Sequence, residues 1–303
     1  MKKVLVILVI LSLLFMGAKC GGKKKEVGPK PFFGGTEGIV ASFGENAPLS
    51  EFQRATDIPV RVVLKNKGEY SIPAGKIKVK LSGVNLANYN LQNAANYKAS
   101  QRELKGVSQL NPEGDELEIN FGNLNYKPQI SGNFIQETLK AKICYEYQTS
   151  TEIPICIQPE LATETVCSIA EEKVKEGTVS GSPLQVTSVT EETVGGDVVK
   201  FNIVIENKGS GTVYSPTVTC EDLENTYKET LERGKFHVDI ETQGVLCTPE
   251  NTNSFDLKLG SDGKATVVCH VRSKGAYTDF LRMKLTFKYI SETSKQIKVV
   301  KGI

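Results

Sequence analysis

Seven cysteines and two histidines hold most of the reactive chemistry of this 303-residue chain. The cysteines are Cys20, Cys144, Cys156, Cys167, Cys220, Cys247 and Cys269. None stands in a CxxC pair, which removes zinc-ribbon and thioredoxin-type readings. With Cys20 set aside as a modification site, six remain, an even number that fits three disulfides. His237 and His270 both sit in alternating stretches, where an outward strand imidazole is the ordinary case; a metal or nucleophile–base pairing of the two is the rival reading. GxSxG, HExxH, P-loop and dinucleotide-binding motifs in their proper context are absent. Asp262-Gly263 lacks the series of oxygen ligands of a calcium loop and reads as a hairpin turn. No catalytic residue, cofactor or metal is expected.

The elements that must position these residues are strands. Ile58, Val60, Val62 and Leu64 alternate with Pro59, Arg61, Val63 and Lys65. Ile77, Val79 and Leu81 alternate with Lys76, Lys78 and Lys80, and Leu117, Ile119 and Phe121 with Glu116, Glu118 and Asn120. A period of two with one apolar face is that of half-buried antiparallel strands. No apolar stripe of helical period intervenes, so the fold class is all-β. Lys76, Lys78 and Lys80 form an outward stripe, read as a solvated face with contact to anionic headgroups or polysaccharide as the alternative. The composition, 39% hydrophobic and 24% charged, is that of a folded chain. A net charge of +2 gives no footprint for nucleic acid.

The second half repeats the first. Phe201, Ile203 and Ile205 before Asn207-Lys208-Gly209 reproduce Val60, Val62 and Leu64 before Asn66-Lys67-Gly68, at an offset of 141 residues. On the same offset Val218 and Cys220 take the places of Ile77 and Val79. Leu281, Met283, Leu285, Phe287 and Tyr289 match Leu139, Ala141, Ile143, Tyr145 and Tyr147 at an offset of 142. The expected organisation is therefore two tandem antiparallel β-sandwich domains, 36–159 and 182–303. An acidic linker, 160–181, joins them, with a short helical turn near Ala170–Val174.

The repeat bears on the disulfides. A hairpin turning near Thr149–Thr151 would set Cys144 opposite Cys156, within bridging distance. The equivalent positions of the second copy hold Thr286 and Lys298, so both cysteines are missing together, as a pair would be. Cys247 with Cys269 and Cys167 with Cys220 would complete the set, with a buried free thiol as the alternative for any one of these four.

At the N-terminus, Lys2 and Lys3 precede an apolar run from Val4 to Met16, then Gly17, Ala18, Lys19 and Cys20. This is the pattern of an export signal. Residues 1–19 read as a signal peptide or membrane anchor, and three outcomes stay open: a lipid anchor on Cys20, cleavage near Ala18, or a retained segment. Residues 20–35 read as a Gly/Lys/Pro tether.

An alternating strand, Asn-x-Gly and a second alternating strand resemble the Ig-like repeats of archaeal and bacterial cell-surface proteins, of the CARDB and S-layer-associated type. The resemblance covers both repeats and implies two Ig-like sandwiches displayed outside the cell. The expected function is non-enzymatic: a membrane-anchored structural or adhesive module that contacts envelope or surface proteins, as an oligomer or filament. The alternative is a carbohydrate- or small-ligand-binding module, for which Tyr89, Tyr97 and Tyr126 are the candidate aromatics.

Overall fold

The computed structural model describes residues 30–248 and 251–301. The expected signal or anchor at 1–19, the lipid site Cys20 and the tether up to residue 29 lie outside the described residues. The chain from Pro31 onward is one compact unit. Its first strands are β1 (Ile39–Phe43), β2 (Glu51–Gln53), β3 (Ile58–Asn66), β4 (Ile77–Ser82), β5 (Lys98–Ala99) and β6 (Glu116–Leu124). The 17-residue β7 (Phe134–Ser150) follows, then β8 (Ile153–Ile157), β9 (Leu184–Thr193), β10 (Val198–Asn207) and β11 (Thr212–Tyr214). One short helix, α1 (Thr226–Glu232), precedes β12 (Lys235–Ile240), β13 (Leu246–Cys247), β14 (Ser254–Lys258), β15 (Lys264–Arg272) and β16 (Tyr277–Leu281). The last strand, β17 (Met283–Val300), has 18 residues.

The fold is all-β, with several antiparallel sheets. An eight-stranded sheet runs β14-β12-β17-β7-β4-β5, with β11 and β2 also paired to β17. A three-stranded sheet, β1-β3-β6, and a four-stranded sheet, β13-β15-β10-β9, supply buried faces to the same continuous hydrophobic core. β16 and β8 form a separate two-stranded ribbon.

The halves meet along β7 and β17. These strands pair antiparallel from Lys284 opposite Ser150 to Val300 opposite Phe134. At about 3.4 Å per residue the ladder is roughly 55 Å long. Tyr145 lies opposite Tyr289 and Tyr147 opposite Phe287. The offset of 142 exchanges these two pairs, because it carries Tyr145 to Phe287 and Tyr147 to Tyr289. The ladder therefore has a local two-fold, and the pair on it is Glu146 opposite Lys288. On the inner face the four rings pack around this point with centroids 5.7–6.2 Å apart, in the range of favourable tilted and edge contacts.

The Asn-Lys-Gly motif acts under those rings. Tyr147 Oη donates to Asn66 Oδ1 at 3.1 Å, and Tyr289 Oη to Asn207 Oδ1 at 3.4 Å. Asn66 Nδ2 donates to the Tyr70 carbonyl and Asn207 Nδ2 to the Gly211 carbonyl, closing the same four-residue turn in both halves. The glycine is required by close approach. A Cβ at Gly68 would stand 2.1 Å from Tyr147 Oη, and one at Gly209 2.3 Å from Tyr289 Oη.

The hairpin expected at Thr149–Thr151 does not form. β7 already has β4 on one side and β17 on the other, so β8 has no free side to join and pairs with β16 instead. The expected bridges Cys144–Cys156 and Cys167–Cys220 are corrected accordingly. Cys144 is bonded to Cys220, and Cys156 to Cys167, 11 residues away. Cys247 is bonded to Cys269, its direct cross-strand neighbour on β15. Three intramolecular disulfides indicate an oxidising, extracytoplasmic environment.

Two further expectations change. Ala170–Val174 is not helical. The Glu172 carboxylate instead accepts from the amides of Lys173, Val174 and Val189, and the Lys173 amide donates to the Val189 carbonyl on β9. Lys173 Nζ then reaches Glu191 at 3.0 Å, both side chains nearly excluded from water, so the acidic segment is docked. The end of the tether is docked as well, because Glu69 accepts from the amides of Phe33, Gly34 and Gly181.

Candidate functional site

The outer face of the eight-stranded sheet carries a network of ion pairs and hydrogen bonds, and the second half builds it. β11 and β12 occupy one lane beside β17, with Val213 opposite Tyr289 and Val238 opposite Leu285. Between them the chain leaves the sheet after Tyr214 and returns at Lys235. Val218 and Cys220 lie on this excursion, not on a counterpart of β4 as the offset suggests. Pro216 ends the strand by removing an amide donor. Asn225 starts α1, its side chain accepting from the amides of Tyr227 and Lys228, and Gly234 turns the chain back at a φ of 77°.

The excursion crosses β17 and β7 to reach β4. Cys220 is bonded to Cys144 on β7. Glu221 accepts from Lys78 at 2.7 Å, and Glu224 pairs with Lys80, with Lys142 at 3.0 Å and with Tyr97 Oη at 2.8 Å. Burial opposes the charge of Glu224, but hydrogen bonds from Lys80, Lys142 and Tyr97 outweigh it and hold its carboxyl at about 2. Beneath lies a small apolar cluster, Cys144, Tyr214, Cys220, Leu223 and Ile290. The stripe Lys76, Lys78 and Lys80 is thus no free solvated face: Lys76 pairs with Glu146 at 3.1 Å and the other two hold the excursion.

The aromatic candidates do not converge. Tyr89 and Tyr126 are buried against each other, centroids 5.0 Å apart, and Tyr89 Oη donates to Glu137. Tyr97 alone reaches the outer face, where its hydroxyl is committed to Glu224.

The histidines are apart, His237 on β12 of the eight-stranded sheet and His270 on β15 of the four-stranded one. His237 Nδ1 faces Asp256 Oδ1 at 2.7 Å, while Nε2 lies 3.1 Å from Ser254 Oγ and 3.3 Å from Asp239 Oδ1. The distances are those of a nucleophile–base–acid relay, yet the chemistry differs. The Ser254 hydroxyl donates to Asp239 at 2.8 Å rather than to the ring, and a carboxylate at each ring nitrogen favours the protonated imidazole over the neutral form a base needs. Burial lowers the affinity of His237 for its proton, but Asp256 and Asp239 outweigh it and raise the value above 6.5. The cluster is an ion clasp between β12 and β14. Asp262 closes the β14–β15 turn by accepting from the Lys264 amide at 3.1 Å, but the two strands belong to different sheets, so the turn is a corner between sheets and not the expected hairpin.

Sequence reasoning identified the lysine stripe but missed its acidic partners, Glu221 and Glu224, and missed Lys288. Length gave no warning, because offsets of 141 and 142 leave the two repeats equal in span; the available signal was the capped helix that Asn225 and Gly234 mark. Among the described residues no cluster of three or more His, Cys, Asp or Glu side chains could hold a metal ion, and no helix is long and apolar enough to cross a membrane. No protein-family model matches the chain, and no curated protein matches it.

Proposed function

We propose that this chain is a non-enzymatic surface module in which two Ig-like repeats, of the CARDB and S-layer-associated type, form one rigid scaffold held at the membrane through the N-terminal segment and Cys20. The observation that carries the reading is the β7–β17 ladder. It runs through both repeats, so load applied to either half is borne by backbone hydrogen bonds over the length of the sheet. The disulfides support the same reading, since Cys144–Cys220 clips one half onto the other outside the cell. Envelope proteins would be met at sheet edges, by strand addition to β6 or β14.

Two measurements test this. Intact mass of the chain taken from its native membranes is expected to show a start at Cys20 with added lipid and a gain of about 6 Da on reduction, two hydrogens per bridge. A full-length unmodified mass with free thiols would overturn the surface assignment. Photo-crosslinkers at Asn120 on β6 and Lys258 on β14, activated on intact cells, are expected to give a discrete adduct with an envelope protein that a loop position such as Lys274 does not give. Equal labelling from all three sites would overturn the scaffold role.

A further inference from the structure

Where the excursion arches over the sheet it leaves a cavity of about 320 Å³, floored by Lys76, Lys78, Glu146 and Lys288 and roofed by residues 216–220. Register sets the floor: Lys288 stands between Glu146 on β7 and Tyr214 on β11, on the local two-fold of the ladder. Its counterpart Glu146 is engaged by Lys76 at 3.1 Å, and Lys78 by Glu221. Lys288 has 9% of its surface exposed and, among the described residues, its ammonium makes no hydrogen bond or ion pair. The stem is buried while the ammonium opens onto the cavity, where water or an anion must supply the partner that the protein does not.

We propose that this cavity is a binding site for a small carboxylate ligand, with Lys288 as the residue that receives the carboxylate. Three ammonium groups face two carboxylates, Glu146 and Glu221, leaving an excess of one positive charge that a single carboxylate neutralises. That excess of one charge matches a monoanionic carboxylate and falls short of dianionic sulfate or phosphate. A volume near ten times that of a water leaves room for the body of an organic acid beside Val218 and Thr219. Desolvation, followed by the nearby Lys76 and Lys78, pulls the Lys288 pKa below its usual 10.5 against the pull of Glu146 and Glu221. An arriving carboxylate reverses that shift. The site does not depend on the scaffold reading, because the excursion and its cavity exist whatever the sheet edges bind.

The test is an amide NMR titration of the whole chain with sodium acetate and sodium glucuronate, against sodium chloride and sodium sulfate at matched ionic strength. The organic acids are expected to move the resonances of Thr217–Cys220 and Lys288 saturably, and Lys288→Met to weaken that binding by about tenfold or more. Methionine keeps the apolar stem that packs under the cavity, so the variant is expected to fold. Should it not, the wild-type chain still decides: acetate is expected to slow acylation of Lys288 by an N-hydroxysuccinimide ester, read by mass spectrometry, while leaving Lys284 on the same strand unaffected. Overturning results are the absence of saturable shifts, equal shifts with chloride or sulfate, unchanged binding in Lys288→Met, or no protection of Lys288.

Discussion

A glycine and a histidine show how much single positions decide here. At Gly68 an added Cβ would meet Tyr147 Oη at 2.1 Å, the Gly181 carbonyl at 2.5 Å and the Glu37 carbonyl at 2.6 Å. Two of the three are backbone atoms that cannot swing away. Gly68→Ala is expected to cost about 3 kcal/mol, from the midpoint of urea unfolding. Gly209 is its repeat partner, but its nearest contacts, Tyr289 Oη at 2.3 Å and Pro183 Cβ at 2.7 Å, are side-chain atoms. Gly209→Ala should therefore cost less, about 1–2 kcal/mol; equal losses at the two sites would contradict the backbone argument. His237 works through charge. Its folded-state pKa is raised, so its contribution is present in full below about 6.5 and fades as pH rises through the folded value. The melting temperature should fall over that window in the native chain. In His237→Gln the same scan should be flatter, and an unchanged slope would remove the clasp from the account.

At the scale of elements, the excursion depends on one covalent bond. Cys144 and Cys220 are 76 residues apart, against 11 for Cys156–Cys167 and 22 for Cys247–Cys269. Loop-closure entropy makes the first the largest contributor, about 4 kcal/mol against about 3 for each of the others. Replacing Cys144 and Cys220 by serine should lower stability by that amount and raise hydrogen exchange across 215–234, with the β7–β17 ladder still protected; uniform loss of protection would mean that the excursion is integral to the sheet. The same elements mark how far the sequence could be read. β3, β4, β6 and β10 were legible, since alternation over six or more residues has one reading when one face must be buried. The excursion was not, because Thr217-Val218-Thr219-Cys220 alternates like a strand while crossing over a sheet. The bridges to Cys144 and Cys156 failed for a related reason. Which cysteine can reach Cys144 depends on both lanes beside β7 being filled, and β17, which fills one of them, begins more than a hundred residues further on. Cys247–Cys269 agrees with one of the pairings left open, and only the structure supplies its reason, since the two are cross-strand neighbours on β13 and β15.

For the whole molecule the two-fold of the ladder explains why one chain carries both halves. β7 alone would present a 17-residue edge, and such edges seek partners. Two copies of the first half could pair β7 with β7 in the same geometry, but Glu146 would then face Glu146 at the centre; two copies of the second half would set Lys288 against Lys288. Like charges directly opposite on antiparallel strands are unfavourable, whereas Glu146 opposite Lys288 is complementary. Charge at one position thus selects the mixed pair over both like pairs, while the aromatic rings around it favour pairing in general. Pieces spanning 31–159 and 182–303, with Cys144, Cys156 and Cys220 changed to serine so that no bond joins them, should accordingly be poorly folded alone and form a 1:1 complex on mixing, seen by light scattering after size exclusion. Glu146→Lys in the first piece should weaken that complex, and pairing it with Lys288→Glu in the second should restore part of the loss. Stable monomers of either piece would show that each half closes its own core. In that case the long ladder would be a contact between finished domains, and the stiffness assigned to the scaffold would have to come from the disulfides.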